Sequence, residues 1–316
     1  MKLNIIGIGT CRSEDFKNEE LDRLTSIKSI PVKGLMPSSL KRLSSRLAKI
    51  FYIAVNNAFM DANLQDHTSI PIIAGTGISE VHAGQELVKQ IYENRGASIS
   101  PTLVQNSVHN APASFLSIGL NNKCPVITIA HSFLSWEASV AYAFTLFATS
   151  SYNKILVVAG DQYVAQWNDL LEAGGQINLS KSLKKQNFKE GALALILSID
   201  NNEIKNYAKI IRSGVFHVPS LQTISRELIN RLGFQLLDNS ILVVRETSFS
   251  IIPNKQRLAK LLNFPIENII HFSPDNGISL ATPFSQILDQ FENLNNKHIL
   301  LINSEFNDIG IVEILF

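Results

Sequence analysis

Short apolar runs that alternate with helical patterns constrain the fold of this chain more than any other feature. Residues 154–160 and 192–199 are near-continuous runs of Val, Ile, Leu and Ala, as in strands covered on both faces. Residues 134–148 form a helical segment that is apolar on nearly every side, which places it inside a protein. The alternation predicts a layered α/β architecture with a buried helix.

The same plan of strands and helices occurs twice along the chain. The first half predicts strands at 3–8, 70–75, 125–130, 154–160 and 192–199, with helices at 39–64, 79–94 and 134–148. The second half predicts strands at 208–216, 241–244, 269–272, 299–303 and 311–316, with helices at 221–232, 255–262 and 280–294. Each half ends in two consecutive strands, which predicts an antiparallel edge on a mainly parallel sheet. The polar stretch 200–206 separates the two predicted halves, 1–200 and 201–316.

Composition narrows the class of protein without naming an activity. The chain has 316 residues, 45% of them hydrophobic, and a net charge of +1, so it can bury a large core and gives no indication of nucleic-acid binding. Two cysteines form neither a disulfide framework nor a metal pair. With no signal peptide and no apolar stretch of roughly 18 residues, we expect a cytoplasmic protein without a membrane span. Gly7 and Gly9 follow a strand, but Arg12 occupies the third glycine position of a dinucleotide fingerprint, and no cofactor is predicted.

One block of sequence resembles a known family. Ser-Pro-Thr at residues 100–102 and Ser-Val-His-Asn-Ala at residues 107–111 resemble a block of the β-ketoacyl-synthase-like proteins of bacterial aryl polyene and flexirubin-type pigment clusters. Further similar segments follow in the family's order: Pro125-x-x-Thr128, Val-Val-Ala-Gly-Asp at 157–161, Glu-Gly-Ala at 190–192 and Ile-Asn-Ser-Glu-Phe-Asn-Asp at 302–308. The resemblance is specific over residues 100–160 and faint after residue 200. It implies an α/β, thiolase-like fold, in which two pseudo-duplicated βαβαβαββ halves form a five-layered αβαβα sandwich.

The resemblance also locates three positions that carry the chemistry in an active synthase. Spacing from Pro125 and Thr128 puts the nucleophilic cysteine at Phe133, and the two histidine positions fall on Glu246 and Ile278. In a synthase the cysteine lies at a helix N-terminus, where the helix dipole and nearby amides lower its pKa. Phenylalanine cannot attack a thioester, so no catalytic residue is expected at these degenerate positions.

Four residues are predicted to line an acyl pocket or a subunit interface. They are His109, Asn110, Phe133 and Trp136. A ring at Phe133 would plug or floor the pocket and keep water out of it. His109 and Asn110 read as a buried pair that locks a loop by hydrogen bonds, with ligand contact as the alternative.

Three residues beside Phe133 are candidates for a different reaction, thioester hydrolysis or acyl transfer. His131 and Ser132 are adjacent, and strand neighbours point to opposite faces, so they suit a base and a nucleophile only if the strand has already turned. Glu137 near a helix N-terminus is stabilised by the dipole whether or not it does chemistry. No residue in this set predicts a metal site.

The sequence leaves three hypotheses. The leading one is a catalytically silent homologue that acts as the chain-length-factor-like partner of an active ketosynthase subunit, with acyl carrier protein as the second partner. A repurposed hydrolase or acyltransferase on the same fold is the second. A homodimeric acyl-binding or assembly protein, in which the chain pairs with itself, is the third.

Overall fold

The structure is a computed structural model. It describes residues 1–12, 30, 32, 34–162, 190–200, 202–203, 205–219, 224–237, 239–245, 254–272, 297–305 and 307–316. Within these ranges, no helix combines the length and the apolar character needed to cross a bilayer.

The predicted repetition of strands and helices is present in the structure. The first half contributes strands β1 (Leu3–Arg12), β2 (Ile72–Gly75), β3 (Val126–Ile129), β4 (Lys154–Asp161) and β5 (Gly191–Ser198). The second half contributes β6 (Ala208–His217), β7 (Ile241–Arg245), β8 (Ile269–Phe272), β9 (His298–Glu305) and β10 (Asp308–Leu315). The helices are α1 (Ser38–Leu43), α2 (Arg46–Asp61), α3 (Val81–Glu93), α4 (Pro101–Asn106), α5 (Ala111–Gly119), α6 (Ser135–Thr149), α7 (Arg226–Arg231) and α8 (Lys255–Leu262).

Both halves have the same strand topology. In the first half β2 pairs parallel with β3 and β4, whereas β5 pairs antiparallel with β4 and β1. In the second half β7 pairs parallel with β8 and β9, whereas β10 pairs antiparallel with β9 and β6. The described strands form one sheet in the order β3-β2-β4-β5-β1-β6-β10-β9-β7-β8. The duplicated α/β plan with antiparallel strands beside parallel ones is confirmed.

A short antiparallel seam joins the two sets of strands. Leu3, Asn4 and Ile5 pair with Ile210, Lys209 and Ala208 respectively. The rest of β1 pairs with β5 and most of β6 pairs with β10, so the halves share little backbone hydrogen bonding.

The molecule has five layers, and helix α6 forms the central one. Helix α2 packs on the outer face of the first set of strands, and α7 and α8 contribute to the apolar cluster on the outer face of the second. Helix α6 lies between the sets and contacts β2 and β4 on one side and β6 and β10 on the other. Trp136 and Val140 of α6 belong to a core cluster with residues of both halves, as the apolar pattern of residues 134–148 predicts.

The long helix predicted over residues 39–64 is wrong in one respect, because it is two helices. Helix α1 ends at Leu43, and α2 begins after Ser45, whose side chain accepts a hydrogen bond from the backbone N–H of Ala48 at 3.1 Å. Ser45 therefore caps the helix that packs on the sheet, and the predicted cap at residues 38–39 lies at the start of α1. The helix predicted over 280–294 lies outside the described residues.

Candidate functional site

The connection from β3 to α6 is a tight turn with Phe133 at its centre. Residues Ser132–Leu134 form a single 3₁₀ turn, and Ser132 adopts a left-handed φ of 47°. Phe133 is 3% exposed and lies two residues before Ser135, the first residue of α6. The structure thus places a buried phenylalanine in the turn that leads into the buried helix.

Hydrogen bonds fix this turn to both halves of the molecule. The backbone N–H of His131 donates to Ser135 Oγ at 2.8 Å, and Ser135 Oγ lies 2.9 Å from the carbonyl of Thr76 after β2. From the second half, Asn303 Nδ2 of β9 donates to the carbonyl oxygen of Phe133 at 3.0 Å. The backbone of Phe133 is thus held at the meeting point of the two halves.

Glu137 is fully enclosed one turn into α6. Its side chain lies directly on the backbone of β10, where a Cβ added at Gly310 would come within 2.8 Å of Glu137 Cγ. Ser213 Oγ of β6 donates to the Glu137 carbonyl at 2.9 Å. The carboxyl group therefore belongs to the central layer and not to an open cleft.

Arg245, at the end of β7, brings a guanidinium group into the same layer. Val243, two residues earlier, belongs to the central core cluster, and alternate residues of a strand share a face. Burial lowers the pKa of Arg245 to about 10, while the negative charge of Glu137 acts in the opposite direction. Two opposite charges, one from each half, thus lie beneath the Phe133 turn.

The three candidates for alternative chemistry are not brought together. His131 and Ser132 are exposed at the turn, whereas Glu137 is fully buried. A base, a nucleophile and an acid that cooperate need mutual hydrogen-bond reach. The structure therefore does not bring these three fallback candidates into one site.

Other predicted pocket residues divide between core and surface. Trp136 is buried in the central cluster. His109 and Asn110 are exposed, so their predicted burial as a loop-locking pair is wrong for this chain. Their main-chain carbonyl groups, and not their side chains, fix this segment. The His109 carbonyl lies 3.4 Å from Ser79 Oγ, and the Asn110 carbonyl accepts a hydrogen bond from Ser114 Oγ at 2.9 Å. Glu246 and Ile278 lie outside the described residues.

A surface cleft of about 150 Å³ opens beside Asn110. It is lined by Gln105, Val108, Asn110, Ala111, Ser114, Phe115 and Ile118. Val104 on α4, Ile118 on α5 and Val108 in the segment between them are large exposed apolar residues. The stretch with the most specific resemblance therefore forms an apolar surface and not an enclosed pocket.

A buried acidic pair, which sequence reasoning missed, lies at the strand ends of the first half. Asp161 ends β4 and Glu80 follows β2 by five residues. Burial raises the pKa of Asp161 to about 6 against the effect of its hydrogen bonds. Burial, together with the charge of Asp161, raises the pKa of Glu80 to about 7. In the sequence, Asp161 is a charged residue at the end of an apolar run, and so is Arg245. That pattern was the signal that could have found both residues.

Two five-stranded units with a shared central helix define a thiolase-like fold. The chain belongs to the β-ketoacyl synthase family, because the family model "Beta-ketoacyl synthase, N-terminal domain" matches residues 21–202. No curated protein sequence matches the chain.

Solved structures agree with this fold at low sequence identity. A structure described as the ishigamide ketosynthase/chain length factor is 12% identical with a TM-score of 0.79, covering 100% of this chain and 99% of that one. A type II PKS acyl-carrier protein in complex with its ketosynthase, AntDE:AntF, matches at 14% identity and a TM-score of 0.73, with 99% of each chain covered. A β-ketoacyl synthase from Burkholderia phymatum matches at 11% identity and a TM-score of 0.72, also with 99% of each chain covered.

Proposed function

We propose that this chain is a non-condensing member of the family, a chain-length-factor-like partner of an active ketosynthase in fatty-acid or polyketide-type acyl-chain biosynthesis. The pigment-type motifs at residues 100–111 favour an aryl polyene or flexirubin-like product. The observation that carries the proposal is Phe133. A phenylalanine at the family's nucleophile position, with its ring buried and its carbonyl bonded to Asn303, leaves no thiol to accept an acyl group.

The surroundings of Phe133 support the loss of condensation. The central layer below it holds Glu137 and Arg245, and both are buried. Because both charged groups are closed off from solvent, neither is available to a substrate. The site at the head of α6 is therefore filled by the protein's own side chains.

A partner subunit fits the face next to this site. Strand β3 stands at one end of the described sheet, and all four of its residues are partly exposed. An uncovered strand edge is a template for pairing with another chain. Val104, Val108 and Ile118 add exposed apolar side chains on α4, α5 and the segment between them. Together the edge and these side chains offer the surface that a synthase subunit would cover.

A cationic surface supports acyl carrier protein as the second partner. Lys41 and Arg42 are exposed in the last turn of α1, and Arg46 and Lys49 follow on α2. Burial lowers the pKa of Lys49, and the nearby charges of Lys41 and Arg46 lower it further. Glu190 bonds to Arg46 at 2.8 Å, so cations outnumber anions here. An acidic protein surface would relieve this repulsion.

The test is co-expression with a cysteine-bearing synthase from the same gene neighbourhood. We expect a stable mixed complex that extends acyl chains on a carrier protein, and no extension by this chain alone. A complex whose synthase cysteine is replaced by alanine serves as the matched control and should be inactive. Elongation by this chain alone would overturn the proposal.

Molar mass separates the leading proposal from the homodimer hypothesis. If the purified chain forms a homodimer and binds none of the candidate synthases, the chain is an assembly or acyl-binding protein. A mixed complex that survives size-exclusion chromatography supports the heterodimer.

A further inference from the structure

The loop after β2 is fastened by a single carboxylate. Asp161 at the end of β4 accepts a hydrogen bond from Thr76 Oγ1 at 2.6 Å. It also accepts from the backbone N–H groups of Gly77 at 3.1 Å, Ile78 at 3.0 Å and Ser79 at 2.9 Å. Four donors on one buried carboxylate order the whole turn that leads into α3.

Glu80 places a second carboxyl group in the same enclosed site. It is 3% exposed, and Ser45 Oγ, which caps α2, donates to its Oε1. The charge of Asp161 acts on Glu80 and raises its pKa. Asp161 therefore joins the loop to the sheet, and Glu80 joins the loop to α2.

The described charged groups around this pair leave the two acids uncompensated. On α2, the Nε of Arg46 donates to the carboxylate of Glu190, directly before β5, at 2.8 Å. From the segment before α5, His109 contributes its carbonyl oxygen to Ser79 Oγ. After β4, Gln162 Nε2 donates to the Ser79 carbonyl at 3.2 Å. Among the described residues, the charge that acts on Glu80 is that of Asp161, and no described cation acts on either carboxyl group.

We propose that Glu80 and Asp161 form a proton-operated latch on the loop of residues 76–80. With a proton on Glu80, the loop stays clamped between β4, the cap of α2 and the segment at His109. Loss of that proton puts two negative charges into one closed site and loosens the loop. This inference does not depend on the proposed function, although the loosened loop supports the segment that carries the exposed Val108.

The direction of the pH effect follows from linkage. Burial raises the pKa of Glu80 from 4.5 to about 7 and that of Asp161 from 3.8 to about 6. Groups whose pKa is raised by folding stabilise the fold fully below their unfolded values, and this stabilisation is lost as the pH rises through the folded values. We therefore expect the latch to weaken between about pH 4 and pH 7.

The experiment is urea unfolding of the full chain at intervals from about pH 4 to about pH 8, across the window that the two pKa shifts define, with Glu80→Gln beside the wild type. Glutamine keeps the shape of the protonated acid and its contact with Ser45. Relative to this variant, the wild type should lose about tenfold in its folding constant per pH unit for each proton released. Glu93→Gln on the exposed end of α3 is the matched control and should follow the wild type. Parallel curves for the wild type and Glu80→Gln would overturn the latch.

Hydrogen exchange tests the wild type directly if the variant folds poorly. The amides of Gly77, Ile78 and Ser79 should exchange faster above pH 7, after correction for intrinsic rates. The amides of Val157 and Leu195 in the sheet are the internal reference. A constant ratio between the two sets across this pH range would also overturn the latch.

Discussion

The two halves of this molecule have the same backbone plan and different chemistry at matching positions. The strands of the first half have 10, 4, 4, 8 and 8 residues in chain order, and those of the second half have 10, 5, 4, 8 and 8. Strand β4 corresponds to β9 and β2 to β7, and their residues in the central core cluster can be aligned. In this alignment Ala159 corresponds to Asn303, and Gly75 corresponds to Arg245. The first half presents small residues to α6, and the second presents long polar ones.

This difference shows how one helix is positioned from two sides. On the first half α6 comes so close that a Cβ at Gly75 would lie 2.8 Å from the Ser135 carbonyl. On the second half Asn303 donates to the Phe133 carbonyl, and the charge of Arg245 interacts with that of Glu137. Close packing thus positions α6 on both sides, at Gly75 and at Gly310, and the second half adds the hydrogen bond of Asn303 and the charge of Arg245.

We expect the largest effect from removing the charge of Arg245. Arg245→Met leaves Glu137 buried without the arginine, so we expect a loss of about 3–5 kcal/mol in the free energy of unfolding. Urea denaturation measures it. The double variant Arg245→Met/Glu137→Leu should recover most of the loss, because two apolar groups replace the charges. A single variant within about 1 kcal/mol of wild type would show that charge does not hold the second half to α6.

Two glycine substitutions test how closely α6 packs on each half, and we expect smaller effects from them. Gly75→Ala and Gly310→Ala each force a methyl group against α6, at 2.7 Å from Ser139 Oγ and 2.8 Å from Glu137 Cγ. We expect each to cost about 1–3 kcal/mol by overpacking, measured by thermal unfolding. Gly84→Ala in α3 is the control, since a methyl group there meets open space. If Gly310→Ala behaves like Gly84→Ala, the contact of α6 with the second half is loose.

The smallest effect isolates the hydrogen bond to the Phe133 turn. Asn303→Ala removes the donor to the Phe133 carbonyl and should cost about 1–2 kcal/mol. Exchange of the Leu134 and Ser135 amides should rise with it, as seen by hydrogen-exchange mass spectrometry. Unchanged exchange in this segment would mean that the turn is fixed from the first half alone.

Periodicity was sufficient to predict most of the fold. The apolar runs at 154–160 and 192–199 became β4 and β5 within one residue at each end, because strands covered on both faces leave a continuous apolar signal. Phe133 was located through its spacing from Pro125 and Thr128. The boundary between halves at residue 200 stays a prediction.

The buried polar groups could not be predicted, for a physical reason. Glu137 and Arg245 are 108 positions apart in the chain, and their electrostatic interaction depends on how the halves pack. The break between α1 and α2 was missed because Ser45 competes with the helix through its own side chain. His109 and Asn110 were expected to be buried, yet they lie on a face of the single chain.

The seam between β1 and β6 has a consequence for the ancestry of the molecule. Leu3 and Ile5 are the first and third residues of β1, and Ala208 and Ile210 hold those places in β6. The pairs Leu3–Ile210 and Ile5–Ala208 therefore exchange with each other when the halves are swapped, around the central pair of Asn4 and Lys209. Such a contact is isologous, the kind formed by two identical subunits across a two-fold axis. The single chain retains the symmetry of a dimer of half-length chains.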